Sequence, residues 1–181
     1  MSGAPHRHFH DELSDLKARV LQMSADAQAA LGTALEALLQ RDADRATAVI
    51  EGDQGIDSAE LAIEETVIKL LATQQPMARD LRFLTAAMKI ANDLERVGDH
   101  AVNIAQSAQQ LRQRGAVAPV PELVEISRQS RKMLADALEA FIRGDTEAAR
   151  AVCRRDDAVD ALHRSVFRIV LTHMMEDPRS I

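Results

Sequence analysis

The chain has 181 residues, of which 46% are apolar and 28% are charged, and its formal net charge is −6. These values exclude a disordered chain, and no window approaches the run of about 20 apolar residues that spans a bilayer, so we expect a soluble protein of one ordinary domain or two small ones. The excess of acids and the absence of Trp and Tyr argue against nucleic-acid binding, which usually relies on positive charge and aromatic stacking. The single cysteine and the lack of an apolar export segment predict a cytoplasmic protein.

The distribution of prolines predicts an all-α protein. Five prolines leave three long proline-free stretches, over residues 6–75, 77–118 and 122–177. The first stretch is too long for one helix in a chain of this size and must fold back on itself, with Asp42 suited to cap the next helix. Gly144 and Asp145 give the same signal later in the chain, because glycine is suited to ending one helix and aspartate to starting the next. We therefore predict five helices, over residues 9–40, 43–74, 77–112, 121–143 and 146–175.

The third predicted helix has a wide apolar face. One seam with three- and four-residue steps comprises Ala87, Ile90, Leu94, Val97, Ala101, Ile104, Ala108 and Leu111. A second seam beside it comprises Leu84, Met88, Ala91, Glu95, Gly98, Val102 and Ala105. This pattern is typical of a helix in a left-handed bundle. Glu95 is the one charge within it, and because an unpaired buried carboxylate is costly, Glu95 needs a partner.

An internal repeat divides the chain. Residues 35–57 align without a gap to residues 138–160, and nine of the 23 positions are identical. We predict tandem three-helix bundle repeats, the first over residues 9–115 and the second, with only two helices, over residues 119–181. We expect either a truncated or fragmentary chain, or a neighbouring subunit that supplies the missing helix. Without it, these apolar side chains would be exposed: Leu134, Leu138, Phe141, Val166, Ile169 and Leu171.

Two acidic pairs with four-residue spacing are the candidate metal ligands of the first repeat. Asp53 and Asp57 share one face of the second predicted helix, and Glu95 and Asp99 share one face of the third. If the two helices face each other, four carboxylates meet at one point. Such an oxygen-rich setting binds divalent or ferric cations.

The repeat supports part of this acidic pattern. Asp53 and Asp57 recur as Asp156 and Asp160 in the second repeat. Glu60 and Glu64 continue the first pair within an arc of about 60°, but they do not recur, so we rank them below it.

The alternative is an ordinary solvated acidic face, neutralised by cations such as Arg45 and Arg96. A ferritin-like di-iron site is disfavoured because the sequence has no Glu-x-x-His motif. No glycine-rich phosphate loop or nucleophile elbow is present, and Cys153 stands at the repeat position of Ile50, which predicts a core residue. We predict that the protein is not an enzyme.

The chain resembles the PhoU family. The resemblance is carried by residues 49–105, where QPMARDLR is followed by LERVGDHA, and by the segment MMEDPRSI at residues 174–181. It implies tandem three-helix bundles with surface clusters of iron or zinc held by E(D)xxxD motifs. By position, the implied ligands are Asp53, Asp57, Glu95, Asp99, Asp156 and Asp160. The helix that would complete the second cluster is missing from the predicted elements.

The resemblance also implies a function. Members of the family are expected to be negative regulators of the phosphate-starvation response. They would link the ATPase subunit of a phosphate ABC transporter to a sensor histidine kinase, often as homodimers, and meet the membrane only through these partners. Two alternatives stay open: a protein whose main task is the storage or sensing of iron or zinc, and an accessory protein of a different phosphate carrier.

Overall fold

The computed structural model describes residues 4–111 and 121–176, with side chains from residue 8 onward, and these ranges are helical apart from the short turns. The helices are α1 (Ala4–Gln40), α2 (Ala43–Gln74), α3 (Ala78–Leu111), α4 (Pro121–Arg143) and α5 (Thr146–Glu176). The predicted all-α class and the five predicted helices are confirmed, although α1 begins five residues earlier than expected. The predicted repeat boundaries at residues 115, 119 and 181 lie outside the described ranges.

The same turn joins α1 to α2 and α4 to α5. In the first turn the amide of Asp42 donates to the carbonyl of Ala37 at 3.0 Å, and in the second the amide of Asp145 donates to the carbonyl of Ala140 at 2.8 Å. Each aspartate then caps the following helix, because its Oδ1 accepts a hydrogen bond from a backbone amide three residues on, at 3.0 Å and 2.9 Å. The residue before each aspartate has a positive φ, 56° at Arg41 and 67° at Gly144.

The first bundle packs α1, α2 and α3 against one another around a continuous core. The buried residues of α2 are Ala46, Val49, Ile56, Ile63, Val67 and Leu70. Those of α3 are Leu84, Ala87, Ala91, Leu94, Gly98, Ala101, Ala105 and Ala108. They alternate between the two predicted seams, so the axis of the buried face lies between the seams. Glu95, from the second seam, is half-buried at the border of the core.

The second repeat is a two-helix hairpin in which α4 lies against α1. Leu138 is 6% exposed and belongs to the core of the first bundle. The rings of Phe141 and Phe83 stack with their centroids 5.2 Å apart. Nearer the start of α4, the guanidinium of Arg131 lies over Gly32, where the Cβ of any other residue would be only 2.7 Å from Nη1. The glycine therefore provides the space that the arginine fills at the joint between the two repeats.

This joint corrects one expectation. Leu134, Leu138 and Phe141 were expected to be exposed, but all three pack against the core of the first bundle because α1 covers that face of α4. The expectation is met in part for α5, where Leu171 is 47% exposed and Val166 and Ile169 are half-buried. No residue of α5 within Thr146–Glu176 is buried.

Cys153 is exposed, so its predicted place in a core is wrong. Its repeat equivalent, Ile50, is half-buried against the core formed by α1, α2 and α3. Within the described residues α5 packs against α4 alone, and no third helix covers the face that carries Cys153.

No helix within the described residues combines the length with the hydropathy that a membrane span requires.

Candidate metal site between α2 and α3

The first acidic pair is brought to α3 by a glycine. Gly98 is buried where α3 meets α2, and a Cβ at this position would be 3.1 Å from both Oδ1 of Asp53 and Cδ1 of Ile56. The missing side chain lets α2 approach closely while the buried Ile56 anchors it in the core. The carboxylate of Asp53 therefore lies over the turn of α3 that carries Glu95 and Asp99.

Desolvation and mutual repulsion raise two pKa values at this point. The pKa of the Asp53 carboxyl is raised above its ordinary value of 3.8, first by desolvation and then by the charges of Asp57 and Asp99. The pKa of the Glu95 carboxyl is raised above 4.5 by desolvation and by the charges of Asp99, Glu60, Asp57 and Asp53, in that order. All four predicted ligands of the first repeat therefore lie within electrostatic reach of one another.

The cations proposed to neutralise this acidic face are engaged elsewhere. Arg45 pairs with Glu36 at 2.6 Å and with Asp42 at 3.2 Å, and Arg96 lies 3.6 Å from Asp93. Within residues 8–111 and 121–176, none of the ion pairs involves the four carboxylates. The repulsion between them is therefore uncompensated by the described side chains.

The donor chemistry of this site fits a hard cation, since all four side chains offer carboxylate oxygens. The side chains are not preassembled as a coordination shell, because no group of three or more His, Cys, Asp or Glu in the described part of the chain converges in a way that could hold a metal ion. Binding would therefore require some of these side chains to rotate, as exposed aspartates such as Asp57 and Asp99 can.

The second acidic pair lies in different surroundings. Asp156 and Asp160 are both exposed on α5, and Asp160 lies 3.9 Å from Arg164. No acidic helix faces them within the described residues, because the counterpart of α3 is not among the five helices. The structure places the predicted ligands of the first repeat within electrostatic reach of one another, whereas those of the second have no acidic partner helix among the described residues.

Glu60 has a closer link to this site than the sequence analysis suggested, which ranked it below Asp53 and Asp57. Its charge acts on Glu95, and its Oε1 accepts a hydrogen bond from Nδ2 of Asn92 at 3.4 Å. Glu60, Glu64 and Asp93 line an open groove together with Met88 and Lys89. The useful signal in the sequence was the spacing of seven residues from Asp53, which returns Glu60 to the same helix face.

Comparisons with known proteins cover most of the chain. The family model described as the PhoU domain matches residues 20–108 and 123–181. The phosphate-specific transport system accessory protein PhoU homolog of Aquifex aeolicus is 38% identical over 170 residues, which are 94% of this chain and 77% of the relative. That of Clostridium acetobutylicum is 36% identical over 174 residues, 96% of this chain and 80% of the relative.

Two solved structures have the same fold. The crystal structure of PhoU from Pseudomonas aeruginosa superposes with a TM-score of 0.89 at 37% identity, covering 94% of this chain and 82% of that one. The phosphate transport system regulatory protein PhoU from Streptococcus pneumoniae superposes with a TM-score of 0.86 at 30% identity, covering 93% and 80%. The likeness therefore includes both bundles rather than one repeat alone.

Proposed function

Because the chain belongs to the PhoU family, we propose that it is a regulatory accessory protein of a phosphate transport system. The observation that carries the proposal is a likeness that extends over nearly the whole chain, in sequence and in structure, to proteins named as accessory or regulatory. The tandem helical bundles offer long exposed helix faces, which suit a protein that acts by contact with others.

The finer proposal is negative regulation of the phosphate-starvation response from the cytoplasm. The protein would contact the ATPase subunit of a phosphate ABC transporter and a sensor histidine kinase, and restrain signalling and uptake when phosphate is plentiful. It would act as a homodimer and without catalysis. This assignment rests on the family resemblance, and the relatives' names support its coarser part, the link to phosphate transport.

A complementation experiment tests the regulatory role. A bacterial strain deleted for its own PhoU relative should express a phosphate-starvation reporter even in phosphate-rich medium, and this chain should restore repression. Expression that stays high despite normal protein levels would contradict the proposal. Binding to the purified ATPase subunit, and to that of a different phosphate carrier, distinguishes the proposed partner from the alternative carrier.

We also propose that Asp53, Asp57, Glu95 and Asp99 hold a divalent or ferric ion, iron or zinc. The raised pKa values of Asp53 and Glu95 support the proposal, because desolvation and then mutual repulsion raise them and a bound cation would favour the charged carboxylates. Asp156 and Asp160 would contribute to a second cluster only if a further helix or a neighbouring subunit faced them. The metal content of protein loaded with zinc or ferric iron, measured before and after Glu95→Ala with Asp99→Ala, tests the first site.

The same double variant tests whether metal handling is the primary task. The specific observation that favours this second candidate is the set of four carboxylates without a described cationic partner. If the variant loses its metal but restores repression as the wild type does, the metal is incidental to regulation. If repression is lost together with the metal while the protein stays folded, the ion is part of the regulatory function.

A further inference from the structure

Like the turn before α2, the turn between α2 and α3 contains residues other than glycine with a positive φ. Gln75 has φ 47° and ψ 56°, and Ala78 has φ 26°, so two residues other than glycine adopt left-handed conformations within four positions. Such conformations cost free energy when a side chain is present. The amide of Asp80 donates to the carbonyl of Met77 at 2.9 Å and fixes the exit from the turn. The turn is three residues long, from Gln75 to Met77, and places Met77 directly before α3.

The strained turn presents apolar side chains to solvent. Met77 is 79% exposed, the highest value among the large hydrophobic residues of the described chain, and Leu81, four residues later, is 42% exposed. Met77 directly precedes α3 and Leu81 lies in its first turn, so both are at the same end of the bundle. Neither side chain belongs to the buried core of the bundle.

Two arginines accompany these side chains. Arg79 and Arg82 are exposed, and neither forms an ion pair with another residue in the part of the chain that the structure describes. The whole chain has 28 acidic and 22 basic residues, whereas this short segment carries two arginines and one acid, the half-buried Asp80. We call Met77, Arg79, Leu81 and Arg82 the α2–α3 tip.

We propose that the α2–α3 tip docks into a partner protein whose surface has an apolar recess edged by carboxylates. Methionine and arginine are both enriched at protein interfaces, and charges on opposite sides of an interface fix its orientation. Because the turn is short and Leu81 is already in a helix, little backbone would have to be ordered on association. The inference rests on the proposed function, because regulation by contact requires a surface for a protein partner.

The charges around the tip favour a protein over an anionic bilayer. The ion pair of Lys69 with Glu12, at 3.1 Å, places the start of α1 beside the end of α2, so the exposed Asp11 and Asp15 lie at the same end of the bundle as the tip. A uniformly anionic surface would repel these acids and would gain only about 1 kcal/mol from each arginine. A protein recess can place its carboxylates opposite the arginines alone.

The experiment measures binding of the full chain to two purified probes, the ATPase subunit of the phosphate transporter and the cytoplasmic part of the sensor kinase. One tip variant combines Met77→Ser with Leu81→Ser, and the other combines Arg79→Glu with Arg82→Glu. The matched control combines Leu39→Ser, at the opposite end of the first bundle, with Arg154→Glu on α5, since both are exposed. Thermal unfolding should be the same for all variants, because every substituted side chain is at the surface.

We expect both tip variants to weaken binding to one probe by at least about tenfold, as the loss of interface hot spots does, while the control binds like the wild type. The arginine variant should also have a smaller dependence on salt. Unchanged binding by both tip variants would overturn the inference and leave the proposed function intact. A wild type that binds neither probe would overturn contact regulation and the inference with it. Tip-dependent binding only to vesicles of phosphatidylcholine and phosphatidylglycerol would assign the tip to the membrane instead and overturn the inference.

Discussion

Val67 and Val170 occupy equivalent positions of the two repeats, 103 residues apart, yet Val67 is fully buried and Val170 is 39% exposed. The helices that carry them begin with the same capped turn and have similar sequences. The difference comes from α3, which covers α2 in the first repeat, whereas within the described residues α5 packs against α4 alone. Equivalent local sequence therefore produces the same helix, and the neighbouring helix decides what that helix buries.

The two valines provide the sharpest test of this comparison. Val67→Ala removes two buried methyl groups from a closed core and should lower the free energy of unfolding by about 2 kcal/mol. Val170→Ala should change it by less than about 0.5 kcal/mol, as substitutions at the surface do. Urea unfolding followed by circular dichroism measures both. Equal losses would mean that α5 is covered in solution.

The stack of Phe83 on Phe141 tests whether the two repeats are energetically coupled. Phe141→Leu keeps an apolar side chain at the joint but removes the ring contact at 5.2 Å, and it should cost about 1 kcal/mol. A double-mutant cycle with Phe83→Leu isolates the coupling between the rings. A coupling energy near zero would show that the hairpin of α4 and α5 is held to the first bundle by other contacts.

Two glycines of the first repeat should respond differently to alanine. Gly55 has open space where a Cβ would be placed, and its repeat equivalent is Ala158, so Gly55→Ala should stabilise α2 by about 0.5–1 kcal/mol. Gly98→Ala would bring a Cβ to 3.1 Å from the buried Ile56 and should offset or reverse that gain. Melting temperatures of the two variants compare them directly, and an equal rise in both would contradict the close approach of α2 to α3.

The acidic pairs of the two repeats should differ in their dependence on pH. With their pKa values raised above 3.8 and 4.5, folded Asp53 and Glu95 keep protons that the unfolded chain has released, so stability falls as pH rises through this window. In the presence of a chelator, Glu95→Gln should therefore flatten this fall and raise the melting temperature at pH 7, by less than about 3 °C.

Asp160→Asn is the matched control for this effect, because Asp160 is exposed and lies near Arg164. It should leave both the melting temperature and its dependence on pH unchanged. Added zinc or ferric iron should reverse the order for the first repeat, since an ion bound only to the folded state stabilises the wild type more than Glu95→Gln. If the metal stabilised both proteins equally, Glu95 would not be a ligand.

The sequence predicted the features that depend on local chemistry. Helix positions, the caps at Asp42 and Asp145 and the buried face of α3 follow from short-range patterns in the chain, and all were confirmed. These features were predictable because each is determined within about two helical turns.

The features that the sequence did not predict depend on contacts between distant helices. The burial of Leu138 and Phe141 required α4 to pack on α1, and the exposure of Cys153 required the absence of a covering helix among those described. Neither feature can be inferred from the residues adjacent to these positions in the sequence. The identity of a metal ion is equally invisible, because carboxylates accept several hard cations with similar geometry.

The exposure of Cys153 has a practical consequence for the open second repeat. It is the single thiol of the chain and it is accessible on α5, so a fluorophore or spin label can be attached there without any substitution. The mobility and solvent access of that label would report directly on the surroundings of α5. A label that becomes immobilised when a second protein is added would show, in real time, that this protein binds at α5.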